Sequence, residues 1–152
     1  MDLHSTPDGR PDLRVLRSAA EPAVDFRRRV SAVAAEVAGL RRAVLASAAG
    51  HGIGEAQQAD IALAVSEACS NAVAHAYVGA AAPGALTVES YRDARELVVV
   101  VTDEGSGMAP RADSPGLGLG LALIARLTQR LEIGANQPHG TRILMGFSLA
   151  AG

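Results

Sequence analysis

Glu67, Asn71 and His75 recur every four residues in SEACSNAVAHAY, residues 66–77, among alanines and small apolar side chains. At about 100° per residue they fall on one stripe of a helix, an acid, an amide and an imidazole in line. Two other stretches carry chemistry. DEGSG places Asp103 at the end of a valine run, with Gly105 and Gly107 behind it. Glycines there let the backbone approach a ligand closely, and the carboxylate can accept a hydrogen bond from it. GLGLGL runs Gly116, Gly118 and Gly120 into a helix amino terminus, whose free amide groups suit phosphate oxygens. Taken singly, each has a plainer reading: an exposed polar helix face, a tight turn capped by its aspartate, and a hinge.

The elements that must hold these residues follow from periodicity. VDFRRRVS alternates Val24, Phe26, Arg28 and Val30 against Asp25, Arg27 and Arg29, the period of a half-buried strand, with Arg28 on the apolar side. The arginine run reads as a solvated strand face. From about Glu36 to Ala49, Val37, Leu40, Val44 and Ala48 predict a helix stopped by GHGIG. A second helix is predicted from about Gln57 to Tyr77. It gathers Ile61, Val65, Ala68, Ala72, Val73 and Ala76 on the side away from the polar stripe. GAAAPGA breaks it. ALTVESYR and RELVVVVTD then read as two strands joined near Asp93 and Ala94, and GLGLALIARL as a third helix. RLEIGA and TRILMGFSL are the last strands, turning around Asn136 to Gly140. Short turns between consecutive strands imply antiparallel pairing. The expectation is an α+β fold, a two-layer α/β sandwich whose mixed, mostly antiparallel sheet carries helices on one face.

Composition closes off several functions. The chain has 152 residues, 49% hydrophobic and 20% charged, which suits one globular domain. Residues 1–22 read as a flexible arm with a short extended piece at LRVLR, and 23–150 as the domain. A net charge of −2 argues against nucleic acid or anionic membranes as partners. All 14 basic residues are arginine, so a Walker-type phosphate loop, which needs lysine, is absent. GLGLGL also misses the dinucleotide pattern, because Leu121 and Leu123 stand where its last glycine would fall. Cys69 is the only cysteine, expected to fill core, and the four histidines lack ligand spacing, which leaves no structural zinc site. No apolar run approaches the roughly 20 residues of a membrane span, so a soluble, cytoplasmic protein is expected.

Order and spacing of the three motifs resemble the GHKL superfamily of histidine kinase-like ATPases, and AVSEACSNAVAHAY is most similar to its anti-sigma factor serine/threonine kinase branch. The resemblance covers about residues 24–149 and implies the Bergerat-type ATP-binding fold. It implies that Asn71 helps bind the Mg²⁺ bridging ATP phosphates, that Glu67 is the general base, and that Asp103 meets the adenine amino group. Gly105 and Gly107 would shape the pocket, Gly116, Gly118 and Gly120 form the second glycine box, and Gly140 with Thr141 the last. His75 either lines the phosphate end or caps the stripe. The residue chemistry agrees: Mg²⁺ prefers oxygen ligands, so one amide oxygen plus substrate phosphates suffices, and phosphoryl transfer asks mainly for positioning and a carboxylate to orient the nucleophile. The branch tends to carry an arginine close to the second glycine box. Here Arg111 stands several residues upstream, in a short lid.

The function implied is an ATP-binding anti-sigma regulator that phosphorylates a STAS-type anti-sigma factor antagonist and, in its alternate state, holds a sigma factor, in a homodimer. The alternatives are an interaction module that binds ATP without catalysis, and a histidine kinase catalytic domain. The short lid and the missing phosphoacceptor helix weigh against the last.

Overall fold

The computed structural model describes residues 22–106 and 117–149. The elements run β1 (Phe26–Ser31), α1 (Ala34–Ala49), α2 (Glu55–Asn71), a π-helical turn (Ala72–Ala76), β2 (Ala85–Asp93), β3 (Glu96–Asp103), α3 (Leu117–Leu127), β4 (Arg130–Ala135) and β5 (Thr141–Ser148). The strands form one sheet in the order β1-β2-β3-β5-β4. All four pairings are antiparallel, the limiting case of the mostly antiparallel sheet expected.

Period-two alternation decides which side chains meet the helices. Leu97, Val99 and Val101 of β3 point to one face, where they join Met145 and Phe147 of β5 and Leu40, Val44, Ile61, Val65 and Ile124 of the three helices in a single core. Val98 and Val100 point to the other face and pack with Leu144 and Tyr91. The valine run is therefore buried on both sides, as its composition predicts. Cys69 is buried in the core, and burial pushes its thiol up to about 12, which leaves it a small inert hydrophobe at neutral pH.

Arg28, on the apolar side of its strand, is exposed, in keeping with the solvated arginine run, and sets its guanidinium over the Phe26 ring at 5.6 Å. Its neighbours turn to the opposite face, where Arg27 pairs with Glu89 at 3.1 Å and Arg29 with Glu104 at 2.8 Å. This edge strand is charged in the way that discourages pairing with another sheet. One local detail differs from the sequence expectation: the second helix stops at Asn71 and widens into the π-helical turn instead of running evenly to Tyr77.

Core burial sets the stability expected of α2. Ile61 is fully buried whereas Leu63, two residues on, is 43% exposed. Ile61→Ala should lower the unfolding free energy by about 2–5 kcal/mol, and Leu63→Ala by less than about 1 kcal/mol. Urea denaturation of both variants checks the difference.

Candidate functional site

The carboxyl end of β3 leads into a loop that rests on the end of the helical segment carrying the polar stripe. Asp103 is the last residue of β3, buried, with Leu86 of β2 opposite. Its Oδ1 accepts the Gly105 N–H at 2.9 Å and the Thr141 N–H at 3.2 Å. One carboxylate oxygen thus ties the loop after β3 to the start of β5. The other oxygen has no hydrogen bond among the described residues and is the acceptor left for a ligand. Burial pushes the Asp103 carboxyl above the usual carboxylate range, while the two N–H groups pull it back.

The polypeptide around Asp103 is held at three further points. Gly140 adopts φ +114, a conformation that side-chain-bearing residues rarely take, and a Cβ there would fall 2.0 Å from the Asp103 carbonyl oxygen. Asn136 Nδ2 donates to that same carbonyl at 3.2 Å. Glu104 N–H donates to the Tyr77 hydroxyl at 2.9 Å.

Behind Asp103 the loop lies on the end of the π-helical turn. Ser106 N–H donates to the Ala76 carbonyl at 3.0 Å, and a Cβ on Gly105 would come within 2.0 Å of that oxygen. A carbonyl at a helix end has no partner within the helix. Here the turn widens after Asn71 and its last carbonyl meets the Gly105–Ser106 backbone.

The polar stripe meets the second glycine box. A Cβ on Gly120, in the first turns of α3, would sit 3.0 Å from both terminal atoms of the Asn71 amide and 3.2 Å from Glu67 Oε2. Glycine at 120 therefore lets the α3 backbone come down onto the acid and the amide. Glu67 and Asn71 are half-buried, and Asn71 Nδ2 is sealed from solvent without any hydrogen-bond partner. Buried donors are ordinarily satisfied; among the described residues Asn71 Nδ2 and Arg130 Nε are the exceptions. No group of three or more His, Cys, Asp or Glu side chains among the described residues is arranged to hold a metal. A cation at Asn71 would draw most of its ligands from a bound phosphate chain and water, which fits Mg²⁺.

The structure thus brings Glu67 and Asn71 together with Gly120, and Asp103 with Gly105, Gly140 and Thr141, and residues 76–77 join the two groups. Gly118 lies in the first turn of α3. His75 is half-buried in the π-helical turn and hydrogen-bonds to none of the other site residues. Gly107, Arg111 and Gly116 lie outside the described residues. Sequence reasoning passed over Tyr77, Asn136 and the Arg29–Glu104 pair. Tyr77 stood inside the quoted motif, but its phenol had no visible partner until the fold supplied Glu104. A separate open hollow of about 610 Å³ between β1 and α1, lined in part by Asp25, Phe26, Ser47 and His51, shares no residue with this site.

The family model for the histidine kinase-like ATPase domain matches residues 30–147. The chain belongs to that family. It is 31% identical over 97 residues to the anti-sigma F factor of Clostridium acetobutylicum, an alignment covering 57% of this chain and 66% of that protein. It is 34% identical over 89 residues to the sensor histidine kinase PdtaS of Mycobacterium tuberculosis, covering 55% of this chain and 18% of that protein. The alignments span less than two thirds of either relative. The fold resembles the RsbU and RsbW domains of a Mycobacterium tuberculosis protein at a TM-score of 0.60 and 22% identity, over 84% of this chain and 33% of that one. It also resembles a blue-light activated histidine kinase domain of Erythrobacter litoralis at 0.54 and 24%, over 89% and 67% of the two chains. Membership in an ATPase family implies ATP as the ligand, and the similarity to an anti-sigma factor agrees with the branch that the helix motif pointed to. Among the described residues no helix is long and apolar enough to cross a membrane.

Asp103→Asn tests the acceptor. An amide keeps an oxygen for the Gly105 and Thr141 N–H groups but replaces the remaining acceptor with a donor. ATP and ADP affinity should fall about 10- to 100-fold, the scale of one mismatched buried hydrogen bond. In the wild type, affinity should drop on acidification through a pH above the usual carboxylate range, because protonation removes the acceptor. The same raised pKa makes the charged carboxylate unfavourable to the fold. Its contribution to stability is therefore fully present at low pH and lost as pH rises through the folded value. Calorimetric titration with nucleotide from pH 4 to 8, with and without the substitution, checks both effects.

Proposed function

We propose that this chain is a Mg-ATP-dependent anti-sigma factor-type regulator. It phosphorylates a serine or threonine on a STAS-type anti-sigma factor antagonist, and in the alternate state it holds a sigma factor. What supports the reading is that the loop after Asp103 rests on Ala76 and Tyr77, at the end of the helical segment that carries Glu67 and Asn71, while Gly120 of the second glycine box comes down on both. In this reading purine recognition and phosphate handling fall at opposite ends of one helix junction. The similarity to an anti-sigma factor supports the choice of branch.

In this reading the free oxygen of Asp103 accepts the adenine amine, and the glycines at 105 and 140 leave room for the ring. The amide terminus of α3, with Gly118 and Gly120, faces phosphate oxygens. Asn71 would hold Mg²⁺ together with those phosphates, and the ion would supply charge compensation for the transferred group. Glu67 accepts the proton of the attacking hydroxyl as its oxygen bonds to the γ-phosphorus and the bond to the β-phosphate oxygen breaks, leaving ADP. Arg111 would stabilise charge on the transferred group, and His75 would line the phosphate end. The ATP-binding domain is taken as residues 23–150, acting in the cytoplasm as a homodimer.

Glu67→Gln preserves size and hydrogen bonding but removes the base. Phosphate transfer from labelled ATP to a candidate antagonist should fall about 10²- to 10⁴-fold, with ATP affinity held within about threefold. Wild-type protein that binds ATP but transfers no phosphate would instead favour an interaction module without catalysis.

A further inference from the structure

We infer that Tyr77 is a positioning residue for nucleotide binding, clamping the backbone that presents Asp103. The inference rests on the ATP-binding reading and adds to it a residue that touches neither purine nor phosphate. Tyr77 follows the π-helical turn, and its hydroxyl does two things: it donates to the Ala85 carbonyl at the start of β2, and it accepts the Glu104 N–H at 2.9 Å. Glu104 directly follows the purine-binding candidate. The hydroxyl therefore bridges the first residue of β2 and the first residue beyond β3, on the side of Asp103 away from Thr141.

The ring is set as tightly as the hydroxyl. A Cβ on Gly84 would lie 2.3 Å from Tyr77 Cε1 and 2.9 Å from its oxygen, so glycine at 84 is the cradle in which the phenol lies. Burial pushes the Tyr77 hydroxyl above its ordinary range, which keeps it a neutral donor at every physiological pH. The Arg29–Glu104 ion pair reaches the same loop residue from β1 at 2.8 Å. Both of its side chains are largely solvated, at 59% and 40% exposure, so screening leaves it a minor restraint beside the half-buried hydroxyl.

With Asp103 Oδ1 engaged by two N–H groups, the aim of its other oxygen depends on where the 103–105 backbone lies. Beside Asn136 on the Asp103 carbonyl, two anchors from consecutive residues hold that backbone: the Ala76 carbonyl on Ser106 and the Tyr77 hydroxyl on Glu104. Loss of the hydroxyl leaves a carbonyl and an N–H unpaired and frees the loop to move. Purine binding should suffer while the Glu67 end, a full helix turn and more away, keeps its geometry.

Tyr77→Phe in the full chain tests this. Amide hydrogen exchange at Glu104, read by NMR without nucleotide, should speed up at least about tenfold with Leu40 and Ile61 unchanged. The dissociation constants of ATP and ADP should rise about five- to twentyfold, with ADP formation at saturating ATP held within about twofold. Tyr91→Phe, on the other face of the sheet, should change none of these. Gly84→Ala, which displaces the ring but keeps the hydroxyl, should give the same split and stands in if the phenylalanine variant does not fold. Unchanged exchange and affinity in Tyr77→Phe overturn the clamp, as does a parallel loss of affinity and turnover, the mark of a general structural role. A wild type that binds neither nucleotide overturns the ATP reading and the clamp's part in binding, whereas the exchange measurement judges the clamp's geometry by itself.

Discussion

The Ala76 carbonyl is the point on which the site is built. It closes the helical segment that carries Glu67 and Asn71, and it receives the backbone N–H of Ser106 from the loop that follows Asp103. At that contact there is no space for a side chain on residue 105, so the approach is main chain against main chain. Such a junction holds its spacing more firmly than one made by long side chains, because few rotatable bonds lie between the elements. The π-helical turn ends at this carbonyl.

Around this junction the polar groups fall into two sets. Those that build the site are paired: Asp103 Oδ1 with two N–H groups, the Asp103 carbonyl with Asn136, and Glu104 N–H with Tyr77. In the other set is Asn71 Nδ2, buried beside Gly120 without a partner among the described residues. An unpaired buried amide disfavours the ligand-free fold by roughly 1–3 kcal/mol, and the rest of the structure must supply that stability. It comes from the helix-facing side of the sheet, where Leu97, Val99 and Val101 of β3 and Ile143, Met145 and Phe147 of β5 are buried against α1, α2 and α3. Stability and chemistry are thus kept at different places, the first in the middle of the sheet and the second at the carboxyl end of β3.

Close approach by glycine recurs with a different partner each time. Gly105 admits a helix carbonyl, Gly120 admits the amide and acid of α2, and Gly140 admits the Asp103 backbone. Each lets two segments distant in sequence meet with nothing between them but backbone or the side chain that does the work. The glycine motifs therefore have a structural duty here, whatever they also leave open for a ligand.

Much was legible in the sequence because its physics is local. The alternation of β2 and β3, the three- and four-residue spacing in α1 and α2, and the breaks at GHGIG and GAAAPGA depend on neighbours within a few positions, so element order and the two-layer architecture could be read directly. The stripe of Glu67, Asn71 and His75 was visible because helical periodicity alone puts these residues in line. Tyr77, Asn136 and the Arg29–Glu104 pair were not, since each acts through a partner 27, 33 or 75 residues away that only the folded sheet brings within hydrogen-bond reach. The end of the regular helix at Asn71 escaped as well, since alanine, valine and histidine in that order favour no particular turn. Residue types and their faces were thus determined by the chain itself, while tertiary packing decided which faces meet, because only packing sets distances between segments far apart in sequence.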